Sequence, residues 1–275
     1  MRTWSFAKGH GTLNDFVLIK DRSGMLNPSA EDVAFLCDRR RGIGADGFLR
    51  AVSSDKMTEW NGPGGLWFMD YRNADGSYAQ MCGNGLRVFV QWLFEEGLAA
   101  GTSVDIATRA GLRRAYLRRD GRISVGMGVP TWNPVMTWVE QGGHRWDAHG
   151  VDVGNPHCVV RLDRVAQLEA IDLSAPFTAD PAMFPQGANV EFVVPLDHGL
   201  LQMRVYERGV GETMSCGTGV VAVSCDDRGL HGEQCDVYHV QIPGGVLKVE
   251  FDDGQAVLTG PATIVARGEV ILPDA

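Results

Sequence analysis

No stretch of the 275-residue chain approaches the ~18–20 consecutive apolar residues that a membrane-spanning helix needs, so a helical membrane protein is not expected. The opening run Met1-Arg2-Thr3-Trp4-Ser5-Phe6-Ala7-Lys8 has no apolar core of signal-peptide length. The expected location is therefore the cytoplasm, where thiols stay reduced. The six cysteines (Cys37, Cys82, Cys158, Cys216, Cys225 and Cys235) contain no C-x-x-C pair and no zinc-like spacing. Long basic stripes are missing too. The net charge is −9: residues 1–130 hold 17 basic and 14 acidic side chains, and residues 131–275 hold 8 and 20. That balance argues against nucleic acid as a partner. The clusters Arg39-Arg40-Arg41 and Arg113-Arg114…Arg118-Arg119 are short and read as solvated turns or strand faces. With 44% apolar and 21% charged residues the chain is globular, and its length suits one large domain or two ordinary ones.

Against that background one kind of element stands out. Met81-Cys82-Gly83-Asn84-Gly85 is followed at once by the apolar run Leu86 to Phe94, which predicts a thiol at a helix N-terminus. Backbone N–H groups are unpaired there and the helix dipole is positive, so a thiolate or a bound carboxylate is favoured. The arrangement returns at Ser215-Cys216-Gly217-Thr218-Gly219, followed by Val220-Val221-Ala222-Val223. Cys37, Cys158, Cys225 and Cys235 lack such glycines and read as small buried apolar residues.

Along the chain, strands are expected at 4–8, 16–20, 48–52 and 66–71, with a helix from Pro28 through Cys37 and a loop over 53–65. A helix over 85–96 ends at Gly97, and alternating runs at 103–109, 112–118 and 122–128 read as antiparallel strands. Pro130-Thr131-Trp132-Asn133-Pro134 reads as a linker into a second unit. Strands follow near 135–139, 144–147, 150–153 and 157–162, then a short helix at 164–170 and a loop over 172–188. Strands at 190–194 and 201–206 precede the second cysteine, and four more near 236–242, 246–251, 256–260 and 263–271 close the chain. The polar run Ser224-Cys225-Asp226-Asp227-Arg228-Gly229 is poor material for a long buried helix, so a short second helix is expected. The halves echo each other: Tyr71 precedes Cys82 by 11 positions and Tyr206 precedes Cys216 by 10. The fold expected is α+β, a duplicated unit of mixed strands about one helix, with the two cysteine ends able to face each other.

Two facing thiols have three main uses. They can form a regulatory disulfide, bind a metal, or act as base and acid on opposite faces of one carbon. A metal needs more ligands than two thiols and His157 supply. A disulfide leaves the glycine nests unexplained. Abstraction of a proton α to a carboxylate builds charge on that carboxylate, which helix N-termini stabilise. Asn155 and Asn189 beside turns, and His157 at a strand start, have ordinary structural readings of their own. Glu207-Arg208 at the end of the apolar strand Leu201 to Tyr206 is harder to dismiss, because a charged pair entering a core needs partners.

The residues also carry a family likeness. Asn14-Asp15-Phe16, Tyr71-Arg72-Asn73-Ala74-Asp75-Gly76-Ser77, Met81-Cys82-Gly83-Asn84-Gly85, Gly154-Asn155-Pro156-His157, Tyr206-Glu207-Arg208-Gly209-Val210-Gly211-Glu212-Thr213 and Ser215-Cys216-Gly217-Thr218-Gly219 resemble diaminopimelate epimerase, in order, from about residue 6 to 268. The resemblance implies two pseudo-symmetric lobes, each a largely antiparallel β-roll around a central helix, with the site in the cleft between them. The N-terminal lobe would span 1–128 with the last strand, about 262–275, returning to it, and the C-terminal lobe 129–261. It implies epimerisation of LL- to meso-diaminopimelate without pyridoxal phosphate, any other cofactor or a metal, serving lysine and peptidoglycan synthesis, by a cytoplasmic homodimer. Cys82 and Cys216 fall at the acid/base positions, with His157 and Glu207 assisting. Asn14, Asn73, Asn155, Asn189, Glu207 and Arg208 fall where the family holds substrate, and Gly83-Asn84 and Gly217-Thr218 where it supplies N–H donors. Gly47 stands where some relatives carry glutamine. Two alternatives remain open at this point: a racemase of the same fold for another amino acid, and a non-catalytic thiol switch.

Overall fold

The computed structural model describes residues 2–232 and 234–273. Met1, Glu233, Asp274 and Ala275, which the expected lobes include, lie outside the described residues. Sheet dominates, with four α-helices among the described residues, and the chain divides into two compact units. One runs to Val125 and resumes at Pro261; the other is Gly126–Gly260.

The first unit is built from β1 (Arg2–Gly11), β2 (Asn14–Asp21), α1 (Ala30–Cys37), β3 (Gly47–Ser53), β4 (Trp67–Asn73), α2 (Gly83–Glu95), β5 (Ser103–Thr108), β6 (Gly111–Leu117) and β7 (Ile123–Gly128), within which the division falls. The second contains β8 (Thr131–Gln141), β9 (His144–Asp152), β10 (Pro156–Arg161), α3 (Val165–Ala170), β11 (Thr178–Ala179), β12 (Asn189–Asp197), β13 (Leu200–Glu207), β14 (Gly211–Thr213), α4 (Gly217–Leu230), β15 (Val237–Ile242), β16 (Gly245–Asp252) and β17 (Gln255–Gly260). The last strand, β18 (Thr263–Leu272), pairs antiparallel with β1, so the chain's end closes the first unit.

The two units share one strand pattern. In the first, β2 and β3 run parallel and β4 antiparallel to β3, with Phe16 opposite Gly47 and Gly47 opposite Asn73. In the second, β10 and β12 run parallel and β13 antiparallel to β12, with His157 opposite Asn189 and Val190 opposite Tyr206. Each arrangement gathers two strand starts and one strand end at one edge. Asn14 and Asn73 thus share one sheet end in the first unit, as His157, Asn189 and Glu207 do in the second.

Each central helix is wrapped by strands of its own unit: α2 packs on β1, β2, β3, β4, β6 and β18, and α4 on β8, β9, β10, β12, β13, β15, β16 and β17. The sequence explains why. Leu86, Val88, Phe89, Val90, Trp92 and Leu93 leave α2 no broad polar face, and all are buried. A helix apolar on most sides must be enclosed. No described helix is long and apolar enough to cross a membrane.

The second helix corrects the expectation. Rather than short, α4 runs fourteen residues, and the polar run sits inside it with Ser224, Asp226 and Asp227 buried. Ser224 Oγ donates to the Val220 carbonyl at 2.8 Å. Asp226 accepts from Trp132 Nε1 at 3.0 Å and pairs with His149 at 3.0 Å, and Arg161 reaches Asp227 at 2.9 Å. Partners on β8, β9 and β10 therefore satisfy groups that look unplaceable in isolation. The expected linker at 130–134 is likewise not one. β8 runs through it, with a register shift between Asn133 and Met136 that accommodates Pro134. The expected loop at 172–188 includes the short strand β11, and that at 53–65 a single 3₁₀ turn, Ser54–Lys56.

At α1, Ser29 caps the helix through the Asp32 N–H at 3.1 Å while Asp32 accepts from the Ser29 N–H at 3.0 Å. Such reciprocal caps satisfy two otherwise orphaned donors. Ser29→Ala is expected to lower unfolding stability by about 1 kcal/mol, read as a reduced urea midpoint at unchanged slope.

Candidate active site

Both cysteines sit at the N-cap of a central helix. Cys82 has extended backbone and its sulfur accepts from the Gly85 N–H at 3.3 Å; the Cys216 sulfur accepts from the Gly219 N–H at 3.4 Å. Sulfur thus takes the place of a serine or aspartate cap oxygen. A thiolate there would lie on the positive end of the helix.

Around Cys82 the first unit assembles a polar shelf. Asn14 Oδ1 lies 3.8 Å from the sulfur and accepts from Asn84 Nδ2 at 3.2 Å. Asn14 Nδ2 in turn donates to Asp46 at 2.9 Å. Asp46 is held by Arg39, which also grips Asp15, and Lys8 pairs with Asp15 at 2.8 Å. Partial burial would raise the Asp15 pKa, but Arg39 and Lys8 hold that carboxyl well below the usual carboxylate range. Asn73 is exposed, accepting from the Tyr71 hydroxyl at 3.2 Å and donating to Ser77 at 3.0 Å. Gly47 has no room for a side chain, since a Cβ would lie 2.9 Å from the Tyr71 ring and 3.1 Å from the Arg72 carbonyl. A glutamine at this position would not fit this packing.

Around Cys216 the second unit is acidic and more enclosed. The thiol is 5% exposed, and burial, then Glu207, then Glu191 push its pKa well above the usual thiol value. Burial also raises Glu207, against hydrogen bonds from Thr213 at 2.5 Å and from the Cys216 thiol. Thr218 Oγ1 lies 3.4 Å from the sulfur and 3.5 Å from Asn155 Nδ2. His157 is fully buried and held at both ring nitrogens, by Glu191 at 2.7 Å and by Asn155 at 3.1 Å. Asn189 accepts from the Arg208 backbone N–H at 2.9 Å. The exposed Arg208 guanidinium is gripped by the carbonyls of Gln186 at 2.7 Å and Gly187 at 3.3 Å. No carboxylate among the described residues pairs with it, so its charge is available.

Each unit brings together part of its expected set: Asn14 and Asn84 at Cys82, and Thr218, Glu207, Asn155 and His157 at Cys216. Asn73, Asn189 and Arg208 lie at the same sheet ends, engaged with Tyr71 and Ser77, with the Arg208 backbone, and with Gln186 and Gly187. Sequence reasoning missed Asp46, which positions Asn14, and Glu191, which positions His157. Glu191 left a trace: a lone acid in the apolar run Val190 to Val194 has to be satisfied inside the fold. The other cysteines differ in kind. Burial lifts Cys37 to about 12 and Cys158 higher still, as expected of inert core thiols. Cys225 is buried too, but Cys235 departs from the expectation: it is only half-buried, just before β15, where its thiol donates to the Val237 carbonyl at 3.1 Å. Among the described residues no group of three or more histidines, cysteines or acids is placed to hold a metal ion.

Two similar helices, each wrapped by the strands of its own unit, define a fold shared with solved structures of low sequence identity. A phenazine biosynthesis protein of the PhzF family from Bacillus anthracis matches with TM-score 0.69 at 15% identity, covering 99% of this chain and 100% of that one. A hydroxyproline epimerase from Agrobacterium vitis matches with TM-score 0.66 at 16% identity, covering 99% and 94%. Sequence narrows the placement. The family model described as diaminopimelate epimerase matches residues 6–133 and 150–265. The diaminopimelate epimerase of Corynebacterium glutamicum is 48% identical over 278 residues, 98% of each chain, and that of Thermobifida fusca 47% over 276 residues, 97% of this chain and 98% of the other. The chain belongs to the diaminopimelate epimerase family and is an isomerase.

Proposed function

We propose that the chain interconverts LL- and meso-diaminopimelate by proton transfer between Cys82 and Cys216. The observation that carries this reading is the repeated cap, a sulfur on the third N–H of a central helix in each of two duplicated units. The relatives' name supplies the substrate. One cysteine, as thiolate, removes the α-proton, and the C–H electron pair delocalises into the α-carboxylate. The other cysteine, as thiol, returns a proton to the opposite face. The carbon is inverted and the two sulfurs have exchanged protonation states. N–H groups of Gly83-Asn84 and Gly217-Thr218, at the positive helix ends, stabilise the developing carboxylate charge. Preorganised donors of this type act only if water is excluded, so the lobes close over the substrate. His157 and Glu207 tune Cys216. Asn14, Asn73, Asn155, Asn189, Glu207 and Arg208 hold the two amino-acid ends. The reaction needs no cofactor and would run in the cytoplasm, in a homodimer, upstream of lysine and peptidoglycan precursors.

Incubation with LL-diaminopimelate in D₂O tests the reading. Meso product carrying deuterium at the inverted α-carbon supports it. Exchange only on other amino acids would instead mark a racemase, and no exchange at all a thiol switch. Arg208, with which no described carboxylate pairs, is assigned the distal carboxylate. A hydrogen bond to a charged group contributes about 1.5–3 kcal/mol, so Arg208→Met is expected to raise KM at least tenfold with a smaller change in kcat, read from initial rates.

A further inference from the structure

Arg87 is the largest fully buried side chain among the described residues, and it has no acidic partner there. It lies in the second turn of α2, and its guanidinium turns back toward the helix start. Its contacts are the Thr12 hydroxyl at 3.1 Å and the carbonyls of Gly83 and Pro261, both at 3.5 Å. These are neutral oxygens, and two of the three bonds are long. Burial brings its pKa down to about 10, and the charge that opposes this is the Cys82 sulfur. A buried cation is retained where an anion can answer it. The acidic groups on the elements packed against α2 are engaged elsewhere or exposed to solvent. Asp15 is paired with Lys8 and Arg39, and Asp46 with Arg39. On β3 and β4, Asp70 is taken by Arg50, Arg72 and Arg109. Glu95 and Glu96 at the far end of α2 pair with Arg267 of β18. Of the remaining groups, Asp21 on β2 pairs with Arg50 at 3.2 Å, Glu269 on β18 is exposed, His10 on β1 is engaged with the Leu13 N–H at 3.4 Å, and Arg2, Lys20, Arg113 and Arg114 are cations.

The second unit has the opposite sign at the matching places. Five positions after Cys216 stands Val221, where five after Cys82 stands Arg87. Against Gly219 sits the Glu191 carboxylate, whereas against Gly85 sits the Phe16 ring. A buried cation therefore backs one cysteine, and two carboxylates, Glu191 and Glu207, back the other.

We propose that Arg87 is a positioning residue that holds Cys82 as the resting thiolate and so leaves the resting proton on Cys216. The inference rests on the two-cysteine reading and assigns its starting state: the free enzyme is set to take the α-proton with Cys82 and return one from Cys216.

The test is alkylation by iodoacetamide across a pH series, with Cys82 and Cys216 peptides quantified separately by mass spectrometry. In the wild type, Cys82 is expected to titrate at lower pH than Cys216; the reverse order would overturn the proposal without any variant. Arg87→Met removes the cation, so the Cys82 midpoint should rise by at least about one pH unit, with Cys216 unmoved, and Arg87→Lys should restore most of the difference. A natively folded Arg87→Met protein with an unchanged Cys82 midpoint would also overturn it. No diaminopimelate is used. A chain with this alkylation pattern but no α-deuterium exchange would sink the functional reading alone.

Discussion

Cys82→Ser and Cys216→Ser are each expected to lower kcat for epimerisation by about 10²–10⁴-fold, in the LL-to-meso and meso-to-LL directions alike, measured by separating the two isomers over time. The range is what one general acid or base contributes. Both directions suffer because inversion needs a base on one face and an acid on the other, and in the proposed mechanism the two cysteines exchange those roles when the reaction is reversed. Serine rather than alanine makes the result readable. The sulfur of each cysteine accepts the N–H of the third residue on, at 3.3 Å for Cys82 and 3.4 Å for Cys216. Serine is a preferred N-cap and keeps that bond, so helix stability is preserved or improved. Its hydroxyl is a far weaker acid than a thiol, so the chemistry alone is removed. A serine variant that unfolds at the same urea concentration as wild type and turns over at the wild-type rate would eliminate the two-base mechanism.

Much of this was legible in the residues, and the exceptions have one physical cause. The cysteine caps could be placed because cap, glycine and apolar run are all local, within a dozen positions. The duplication could be read because the same local signal occurs twice. What failed was long-range satisfaction. Asp226 and Asp227 look hostile to a buried helix until Trp132, His149 and Arg161 arrive from strands 65 or more positions away. The prolines at 130 and 134 look like a linker until the register shift in β8 absorbs the second. Glu191 could have been flagged as a buried acid, but its partner His157 lies 34 positions earlier, on a parallel strand whose register the sequence does not state. Arg87 was hidden in the same way, inside a run whose other members are core.

That long-range layer makes two similar glycines unequal, and Gly219→Ala is expected to be far more damaging than Gly85→Ala. Each is the third residue after one of the two helix-capping cysteines, and the motif alone gives no reason to separate them. At Gly85 an added Cβ would meet the Phe16 ring at 3.3 Å and Cys82 Cβ at 3.5 Å, a tight contact that a ring edge can relieve by a small shift. At Gly219 it would lie 2.7 Å from Glu191 Oε1, a distance no real contact tolerates. That same oxygen holds His157 at 2.7 Å. The carboxylate must then leave the histidine, or the first turn of α4 must move and carry the Cys216 sulfur with it. Displacement of a reacting group by about 1 Å costs on the order of 10²-fold in rate, and overpacking adds about 1–3 kcal/mol of lost stability. Gly219→Ala should therefore lose roughly 10²-fold in kcat with a reduced urea midpoint, while Gly85→Ala stays within about tenfold of wild type. Glu191→Ala in the Gly219→Ala background removes the clashing oxygen but should recover neither stability nor rate, because the buried His157 is still left unheld. Equal effects of the two glycine substitutions would mean that the glycines serve only the helix ends, and that the Glu191–His157 pair has no part in setting Cys216.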